Sequence, residues 1–427
     1  MLFKDSMFKV RRNDADILVI SHRNVNDLRN LSEEKLSPIQ AHIKNLLGHH
    51  STTDILLKTN IHTRTLQSKL TPNLASTVAR VKEELDHALE VEFAECQDQW
   101  ISVSLNDPIL RVVARISARI FLGKDGCRNE EWLSTSIHYT ENVFMTVMTL
   151  RMLPAFLHGP VSRCLPSWWR LRSNLATAKR LISPIIRERR EAQAREGDAY
   201  EKPEDLLQWM MDSAQNDFES HPDSLAHIQL LLSLASIHTT TMAIAHAIYD
   251  ICAHPEYFEP LRAELESVTR EDQGWGKATL MAFNRIVKEP LQLTDGTKLP
   301  VGTHFSIASD AVLHDSEYLP GGGDPEKFDG FRYSRLRESA ENANKYQFAM
   351  TEDSSLHFGH GKFACPGRFF ASNEIKMILG HLLLRYDFQY PTGQGRPQNL
   401  NADENLYPDP SARVLVRRRR GEDEVVV

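Results

Sequence analysis

The sequence has few cysteines, no excess of positive charge and no long uninterrupted apolar run. The five cysteines are Cys96, Cys127, Cys164, Cys252 and Cys365. Their odd number, wide spacing and lack of a Cys-x-x-Cys pair argue against a disulfide framework and against a zinc ribbon. The net charge of −7 provides no overall positive field for nucleic acid. The most apolar stretch, 228–252, is interrupted by His238 and by threonines, so it predicts a buried helix rather than a membrane span.

The spacing of apolar residues predicts a mainly helical chain with short strands in two places. Alternating polar and apolar residues predict strands within Phe8–Ser21, and short runs with turn signals predict further strands within Phe283–Ser309. Helical periodicity dominates the chain between these two regions. Arg368–Arg385 predicts a late amphipathic helix, and 389–408 predicts a loop. A chain of 427 residues can bury a core large enough to enclose a cofactor.

A long apolar helix is predicted in the middle of the chain. Asp223 or Ser224 can cap its first turn, and Pro255 prevents it from continuing. Its ~30 residues would span about 45 Å, which is enough to cross the whole domain. A second amphipathic helix is predicted over Ala176–Arg195, with a kink at Pro184.

The most informative segment reads Phe-Gly-His-Gly-Lys-Phe-Ala-Cys-Pro-Gly-Arg and runs from Phe358 to Arg368. Gly361 permits a tight turn, and Pro366 suits the first turn of a helix. Cys365 therefore lies at the positive end of the predicted helix, where free backbone N–H groups favour a thiolate. We expect Phe358 to shield the sulfur from water.

Three other interpretations of Cys365 remain open from the residues alone. A single cysteine at a helix start is often an inert packed residue. His357, His360 and Cys365 are close enough in sequence to suggest zinc, although a structural zinc site needs four ligands and no fourth is nearby. A cysteine nucleophile followed directly by proline, without a recognisable base, is a weaker interpretation.

The segment matches the signature Phe-x-x-Gly-x-x-x-Cys-x-Gly, and on this motif the chain resembles the cytochrome P450 superfamily. The wider string FGHGKFACPGRFFASNEIK resembles the fungal branch that is similar to ent-kaurene oxidases and acts in secondary metabolism. The resemblance implies that Cys365 is the axial ligand of haem b, with Phe358, Gly361 and Gly367 around the cofactor. It also implies a mainly α cytochrome P450 fold: a single large domain over 1–427, small β-sheets and a long central helix over the haem.

The middle of the long helix reads Ala-Ser-Ile-His-Thr-Thr from Ala235 to Thr240. The threonine hydroxyls can bond back to carbonyls one turn earlier, so a buried helix whose threonines satisfy themselves is the simplest interpretation. The segment also resembles the family motif Ala-Gly-x-Asp/Glu-Thr-Thr. The resemblance places Ala235 against the cofactor and makes Thr239 the alcohol that contacts oxygen. His238, which replaces the acid, would be the second member of a proton relay.

Arginines are candidates for contacts with the haem carboxylates. The resemblance implies that Arg285 contacts one propionate, and Arg64 is a second candidate. Phe363 stands where the family usually has Arg or His, so one propionate partner is missing. Arg332, in a segment similar to the family's Pro-x-x-Phe-x-Pro-x-Arg-Phe, is expected to be structural.

The family's Glu-x-x-Arg motif is absent where the resemblance expects it, between Ser267 and Phe283. Glu259–Arg262 matches the letters but lies too early, directly after the long helix. We therefore predict that at least one helix of average length, ~11–12 residues, is missing between Leu280 and Met281. Its loss would leave Arg332 buried without its usual partners, which is costly.

The resemblance predicts a haem-thiolate monooxygenase that oxidises an apolar, terpenoid-type secondary metabolite with O2. Electrons would come from NADPH through NADPH–cytochrome P450 reductase, with Lys362 and Arg368 as docking contacts. The resemblance places the enzyme at the cytosolic face of the endoplasmic reticulum membrane, although the sequence contains no N-terminal membrane anchor. No nucleic-acid partner is expected. The alternative is a catalytically impaired relative, lacking the Glu-x-x-Arg helix, that binds haem or another hydrophobic molecule.

Overall fold

The structure is a computed structural model that describes residues 4–268, 283–402 and 405–419. Helices dominate these residues, as predicted. Their bounds are α1 Val25–Leu28, α2 Pro38–Asn45, α3 Gly48–Ser51, α4 Ile61–Thr65, α5 Leu74–Glu92, α6 Asn106–Phe121, α7 Lys124–Cys127, α8 Glu130–Arg151, α9 His158–Ser162, α10 Pro166–Glu196, α11 Leu206–Ser213, α12 Asp217–Ser220, α13 Pro222–Ala253, α14 Phe258–Val268, α15 Ser309–Leu313, α16 Arg332–Arg337 and α17 Arg368–Arg385.

Short strands form small sheets at the side of the helical body. Their bounds are β1 Phe8–Arg11, β2 Asp16–Val19, β3 Leu36–Ser37, β4 Ile101–Ser104, β5 Phe283–Val287, β6 Leu291–Gln292, β7 Lys298–Leu299, β8 His304–Ile307, β9 Tyr386–Gln389, β10 Leu400–Ala402, β11 Asn405–Tyr407 and β12 Arg413–Arg418. The largest sheet has the order β1-β2-β8-β5-β3, and a second has the order β4-β12-β9. In the larger sheet Arg285 pairs with Phe305, which fixes the position of that arginine.

Helix α13 is the central element of the fold. It packs against α6, α8, α10 and α17, and most of its residues are buried. Pro222 occupies its first turn, and the His221 ring nitrogen Nδ1 accepts a hydrogen bond from the Asp223 N–H at 3.2 Å. The prediction that Asp223 or Ser224 caps this helix is therefore wrong, because proline, whose N–H is missing, already forms the first turn. Among the described helices, α13 has the length and apolarity of a membrane span, and 72% of its most apolar window is buried inside the protein.

The buried side chains form two clusters. The larger cluster joins the helices α5, α6, α8, α13 and α17. The smaller cluster lies against the five-stranded sheet and includes Leu36, Val287 and Phe305, and Phe363 of the cysteine segment packs on its edge. The cysteine segment therefore contacts the smaller core directly, and it leads into α17, which contributes to the larger core.

Several sequence predictions are confirmed and others need correction. The N-terminal strands are present, and α17 spans the predicted Arg368–Arg385. Helix α10 begins earlier than predicted, at Pro166, and continues through Pro184. The predicted loop 389–408 contains the hairpin β10–β11, because its polar sequence hides two very short strands. The predicted missing helix, at Leu280–Met281, lies outside the described residues.

Candidate functional site

The segment from His357 to Arg368 forms a tight loop that leads into α17. Gly359 and Gly361 adopt positive φ angles of 71° and 70°. The N–H of Cys365 donates to the carbonyl of Phe358 at 2.7 Å, and the Arg368 guanidinium donates to the carbonyl of Cys365 at 3.0 Å. These bonds hold the cysteine in one position, at the start of the helix as predicted.

Gly361 also makes a close contact with the N-terminal part of the chain. A Cβ atom at this position would lie 2.2 Å from the carbonyl oxygen of Arg29. The neighbouring N–H of Lys362 donates to the same oxygen at 2.8 Å. The turn therefore requires glycine both for its φ angle and for space.

The sulfur of Cys365 lies in a different environment from the other four cysteines. Burial raises the pKa of the Cys365 thiol, while the N–H groups of Gly367 and Arg368 and the charge of Arg368 act in the opposite direction. The other four are the buried thiols Cys96, Cys127 and Cys252 and the exposed Cys164. Burial raises the pKa of each of the three buried thiols to about 11 or 12. Backbone donors directed at the sulfur make Cys365 the cysteine best suited to act as a thiolate ligand.

The histidines beside Cys365 do not form a zinc site with it. Both ring nitrogens of His357 are engaged, with Ser355 Oγ at 2.8 Å and the Phe348 carbonyl at 2.9 Å. The Nε2 atom of His360 faces the Arg29 guanidinium at 3.5 Å. Among the residues that the structure describes, no group of three or more His, Cys, Asp or Glu side chains is arranged around a metal position. The zinc interpretation therefore finds no support.

Arg285 lies beside the cysteine loop on β5. Only 5% of its surface is exposed. Its guanidinium carbon lies 5.6 Å from the centre of the Phe363 ring, and its Nη1 donates to the Asn284 carbonyl at 2.7 Å. Burial lowers the pKa of Arg285 to about 10. A poorly solvated cation in this position would be stabilised by an anionic group of a cofactor. Phe363, which departs from the family pattern, holds this cation against its ring.

Ala235 and Thr239 lie one turn apart on α13 and therefore face the same side. Ala235 is exposed although it lies in the middle of a buried helix, so it borders an open space. The Thr239 hydroxyl donates to the carbonyls of Ala235 at 2.7 Å and Ser236 at 3.2 Å. The back-bonding expected from the sequence is therefore present, and it positions the hydroxyl at the edge of this space.

His238 points toward α8. Its Nε2 lies 3.3 Å from the carbonyl of Ile137, and burial lowers the pKa of the ring. His238 is therefore neutral near pH 7, and its ring N–H can donate to that carbonyl. In the described structure the side chains of His238 and Thr239 have separate partners and do not hydrogen-bond each other.

Two arginine predictions from the sequence are wrong. Arg64 forms an ion pair with Glu219, with Nη2 to Oε2 at 2.9 Å, and it also donates to the Ser213 carbonyl. Its charge is directed to α12 and is not available as a second propionate contact. Arg332 is not left without partners, because its own loop supplies the Gly322 carbonyl at 2.8 Å and Asp329 at 4.0 Å.

Comparison with known families gives a direct assignment. The sequence model of the family described as Cytochrome P450 matches residues 5–281 and 276–416. The chain belongs to the cytochrome P450 family. A P450 holds haem through a thiolate, and it uses oxygen, electrons from a redox partner and an organic substrate.

The relatives of this P450 include several fungal enzymes. A cytochrome P450 monooxygenase of Emericella nidulans is 58% identical, over 98% of this chain and 81% of its own. The cytochrome P450 monooxygenase olcJ of Penicillium canescens is 51% identical, over 98% of this chain and 82% of its own. The ent-kaurene oxidase of Fusarium fujikuroi is 41% identical, over 99% and 82%. The chain is therefore similar to P450 monooxygenases over nearly its whole length.

A solved structure supports the fold. The crystal structure of a cytochrome P450 heme domain covers 99% of this chain and 90% of its own, with a TM-score of 0.69 and 16% sequence identity. The predicted fold class, mainly α with small sheets and a long central helix, is therefore confirmed.

Glu374 of α17 is a buried acid of this P450 that the sequence did not single out. It is 1% exposed, and its Oε1 accepts a hydrogen bond from Ser117 at 2.8 Å. The Ser117 hydroxyl also lies 3.0 Å from the Ser236 hydroxyl on α13. Burial raises the pKa of Glu374 to about 8. The only signal in the sequence was an acidic residue on the predicted apolar face of the last helix.

We expect the stability of the P450 to depend on the proton of Glu374. The unfolded chain releases this proton near pH 4.5, whereas the folded protein keeps it to about pH 8, so stability falls as the pH rises between these values. Glu374→Gln is expected to remove this slope and to stabilise the fold at pH 8 by at most about 4 kcal/mol. Denaturant unfolding at several pH values measures the effect. Equal slopes in the wild type and the variant would contradict it, and exposed Glu341→Gln is the control.

Proposed function

We propose that the chain is a single-domain haem-thiolate monooxygenase in which Cys365 binds the iron of haem b. The cysteine loop carries this proposal, since the N–H groups of Gly367 and Arg368 are directed at the sulfur. When bound, the haem supplies the oxygen-activating redox chemistry, which a thiolate ligand favours. The backbone donors moderate the charge on the sulfur.

The residues around the loop fit a flat, anionic cofactor. A Cβ atom at Gly367 would meet no heavy atom within 4 Å apart from its chain neighbours, so open space is available at this position, two residues after Cys365. Phe358 packs against Phe348, with ring centres 5.4 Å apart, and would shield the sulfur from water. Arg285 would bind a haem propionate, because it places a buried cation beside the loop. Ala235 would face the haem from the opposite side.

We propose that the Thr239 hydroxyl holds the proton that is passed to oxygen. His238 would be the second member of this proton relay, and its ring would have to move away from the Ile137 carbonyl. Replacing Thr239 by valine or His238 by alanine should raise the release of peroxide per NADPH consumed by roughly tenfold. Thr241→Val is the matched control, because Thr241 makes the same back-bond, to Ile237 at 2.8 Å, from a buried position. Unchanged coupling in both test variants would reject this relay.

The substrate is proposed to be an apolar, terpenoid-type secondary metabolite. The similarity to an ent-kaurene oxidase supports this choice. We propose NADPH–cytochrome P450 reductase as the electron donor. Exposed Lys362 and partly exposed Arg368, next to Cys365, offer positive charge to an acidic partner face. The endoplasmic reticulum membrane is the proposed location, by similarity to the same relatives.

The reduced protein treated with carbon monoxide provides the test. A thiolate-type Soret band together with NADPH-dependent turnover supports the proposal. A band of the inactive type, or no haem after reconstitution, rejects it.

Two observations favour a second candidate, an impaired protein that binds haem or another hydrophobic molecule. The alignments with the relatives extend over 438 to 444 residues, which is more than the 427 residues of this chain. The family model matches in two segments that meet at 276–281. Both facts agree with a helix missing between Leu280 and Met281, and an inactive-type band would support this candidate.

A further inference from the structure

The buried acid Glu374 lies where α17 meets α6 and α13. Burial raises the pKa of Glu374 to about 8, and hydrogen bonds from the hydroxyls of Ser117 on α6 and Thr240 on α13 act in the opposite direction. Among the described residues, no charged side chain contributes to this pKa. The carboxyl is therefore mostly neutral near pH 7 without an ion pair, and it holds a proton inside the protein.

Two serine hydroxyls lead from this acid to the central helix. The Ser117 Oγ atom lies 2.8 Å from Oε1 of Glu374 and 3.0 Å from Oγ of Ser236. Both distances are typical of hydrogen bonds between oxygen atoms. A hydroxyl can donate and accept at the same time, so rotation of the hydroxyl hydrogens lets this line of bonds run in either direction. The acid and α13 are therefore joined by a continuous chain of hydrogen bonds.

The chain of hydrogen bonds ends beside the open space on α13. Ser236 is partly exposed and directly follows Ala235, the residue that borders this space. It also precedes Thr239 by three residues, so the two side chains are neighbours on the helix surface. The Thr239 hydroxyl donates to the Ser236 carbonyl at 3.2 Å. The buried proton of Glu374 is thereby connected to the rim of the space in which Thr239 is proposed to act.

His238, the other proton donor proposed for this space, is arranged differently. Its ring binds the Ile137 carbonyl and has to move before it can serve Thr239. The chain from Glu374 needs only rotation of hydroxyl hydrogens, because its heavy atoms are already within hydrogen-bond distance. Its last member, Ser236, stands where the family motif has glycine, so this hydroxyl is a feature of the present sequence.

We propose that Glu374 is a proton reservoir for the open space on α13, and that the hydroxyls of Ser117 and Ser236 conduct its proton there. This inference deepens the proposed function and rests on it. The proton leaves Oε1 for Ser117 Oγ, Ser117 passes its own proton to Ser236, and Ser236 releases its own proton into the space. Glu374 is left as a carboxylate, which is costly in a buried position. A proton from the solvent therefore returns to it through the same hydroxyls when water enters the space.

Deuterium exchange of the Glu374 proton tests this route without turnover. The C=O stretching band of the protonated carboxyl is identified by its loss in Glu374→Gln, and its shift is followed after the purified protein is mixed with D2O. We expect Ser236→Ala and Ser117→Ala to slow the exchange by roughly tenfold or more, because each removes one oxygen of the chain. Ser236→Thr keeps the hydroxyl and should keep the wild-type rate.

Ser233→Ala is the matched control for the exchange. Ser233 is a buried serine of the same helix, and its hydroxyl donates to the Gln229 carbonyl at 3.2 Å, outside the proposed route. Its replacement should leave the exchange rate unchanged. Wild-type exchange in Ser236→Ala would overturn the proposal, as would the absence of a protonated carboxyl band at pH 7. Since Ser236 is only partly buried, this variant decides the test even where Ser117→Ala does not fold.

Coupling of NADPH use to product formation separates this role from a purely structural one. Glu374→Gln is expected to stabilise the fold at pH 8, yet it should raise the peroxide released per NADPH by roughly tenfold, because an amide cannot supply the proton. Ser236→Ala should do the same without a change in KM, and Ser233→Ala should have no effect. A structural role predicts lost coupling only together with lost stability.

The carbon monoxide spectrum of each variant is recorded before coupling is measured. Normal coupling in Glu374→Gln and Ser236→Ala with a thiolate-type spectrum would overturn the proton route and leave the haem assignment intact. Lack of that spectrum in the wild type would count against the proposed function, and the exchange measurement would then decide the route alone.

Discussion

Cys365→Ser is expected to abolish the thiolate-type carbon monoxide spectrum and to lower turnover by about a thousandfold or more. A serine hydroxyl is neither a thiolate nor a strong donor of charge to iron, so the chemistry that depends on the sulfur is lost. The backbone loop should persist, because its hydrogen bonds from Cys365 to Phe358 and from Arg368 to Cys365 involve the main-chain atoms of residue 365. Spectra of the reduced protein and product formation measure both effects.

Cys164→Ser is the matched control for this variant. Cys164 is exposed on the surface, so its replacement should change neither the spectrum nor the turnover. Retention of the pigment and of turnover in Cys365→Ser would refute the assignment of the iron ligand. Loss of both in Cys164→Ser as well would show that the assay reports folding.

Gly361→Ala is expected to cause the largest loss of stability, on the order of 5 kcal/mol. The new Cβ would lie 2.2 Å from the carbonyl oxygen of Arg29, a main-chain atom that cannot rotate away. The φ angle of 70° adds strain for any residue with a side chain. Urea unfolding of the haem-free protein measures the loss.

Gly367→Ala tests whether the open space at this position is needed for haem uptake and not for the stability of the haem-free protein. The added Cβ meets nothing within 4 Å, so the haem-free protein should keep its stability. Haem uptake should fall, because we propose that the haem lies in the open space at Gly367, which the methyl group would occupy. A stability loss in Gly367→Ala equal to that in Gly361→Ala would contradict this distinction.

Local patterns predicted the parts of the site that depend on neighbouring residues. The cysteine loop and the bounds of α17 follow from glycine, proline and helical periodicity within one short segment. The back-bonds of Thr239 and Thr241 follow from residues one turn apart on the same helix. These features need no knowledge of distant parts of the chain.

Contacts between distant segments could not be predicted. Arg64 pairs with Glu219, and Glu374 meets Ser117, across large separations in sequence. A guanidinium or carboxylate binds whichever partner the fold brings near, and the sequence around each residue does not specify it. The partners of Arg332 were wrong for a different reason, because Asp329 and Gly322 are near in sequence but reach the guanidinium only through the way the loop folds back.

The hydrogen bond from the Lys362 N–H to the Arg29 carbonyl joins the cysteine loop to a segment far earlier in the chain. This contact has a consequence for folding during synthesis, because its two partners are made at different times. The residues around Arg29 remain without this partner until residue 362 has been made, and closing so long a loop is slow. We therefore expect the cysteine turn to be completed, and the proposed cofactor to be captured, only after residue 362 has been made.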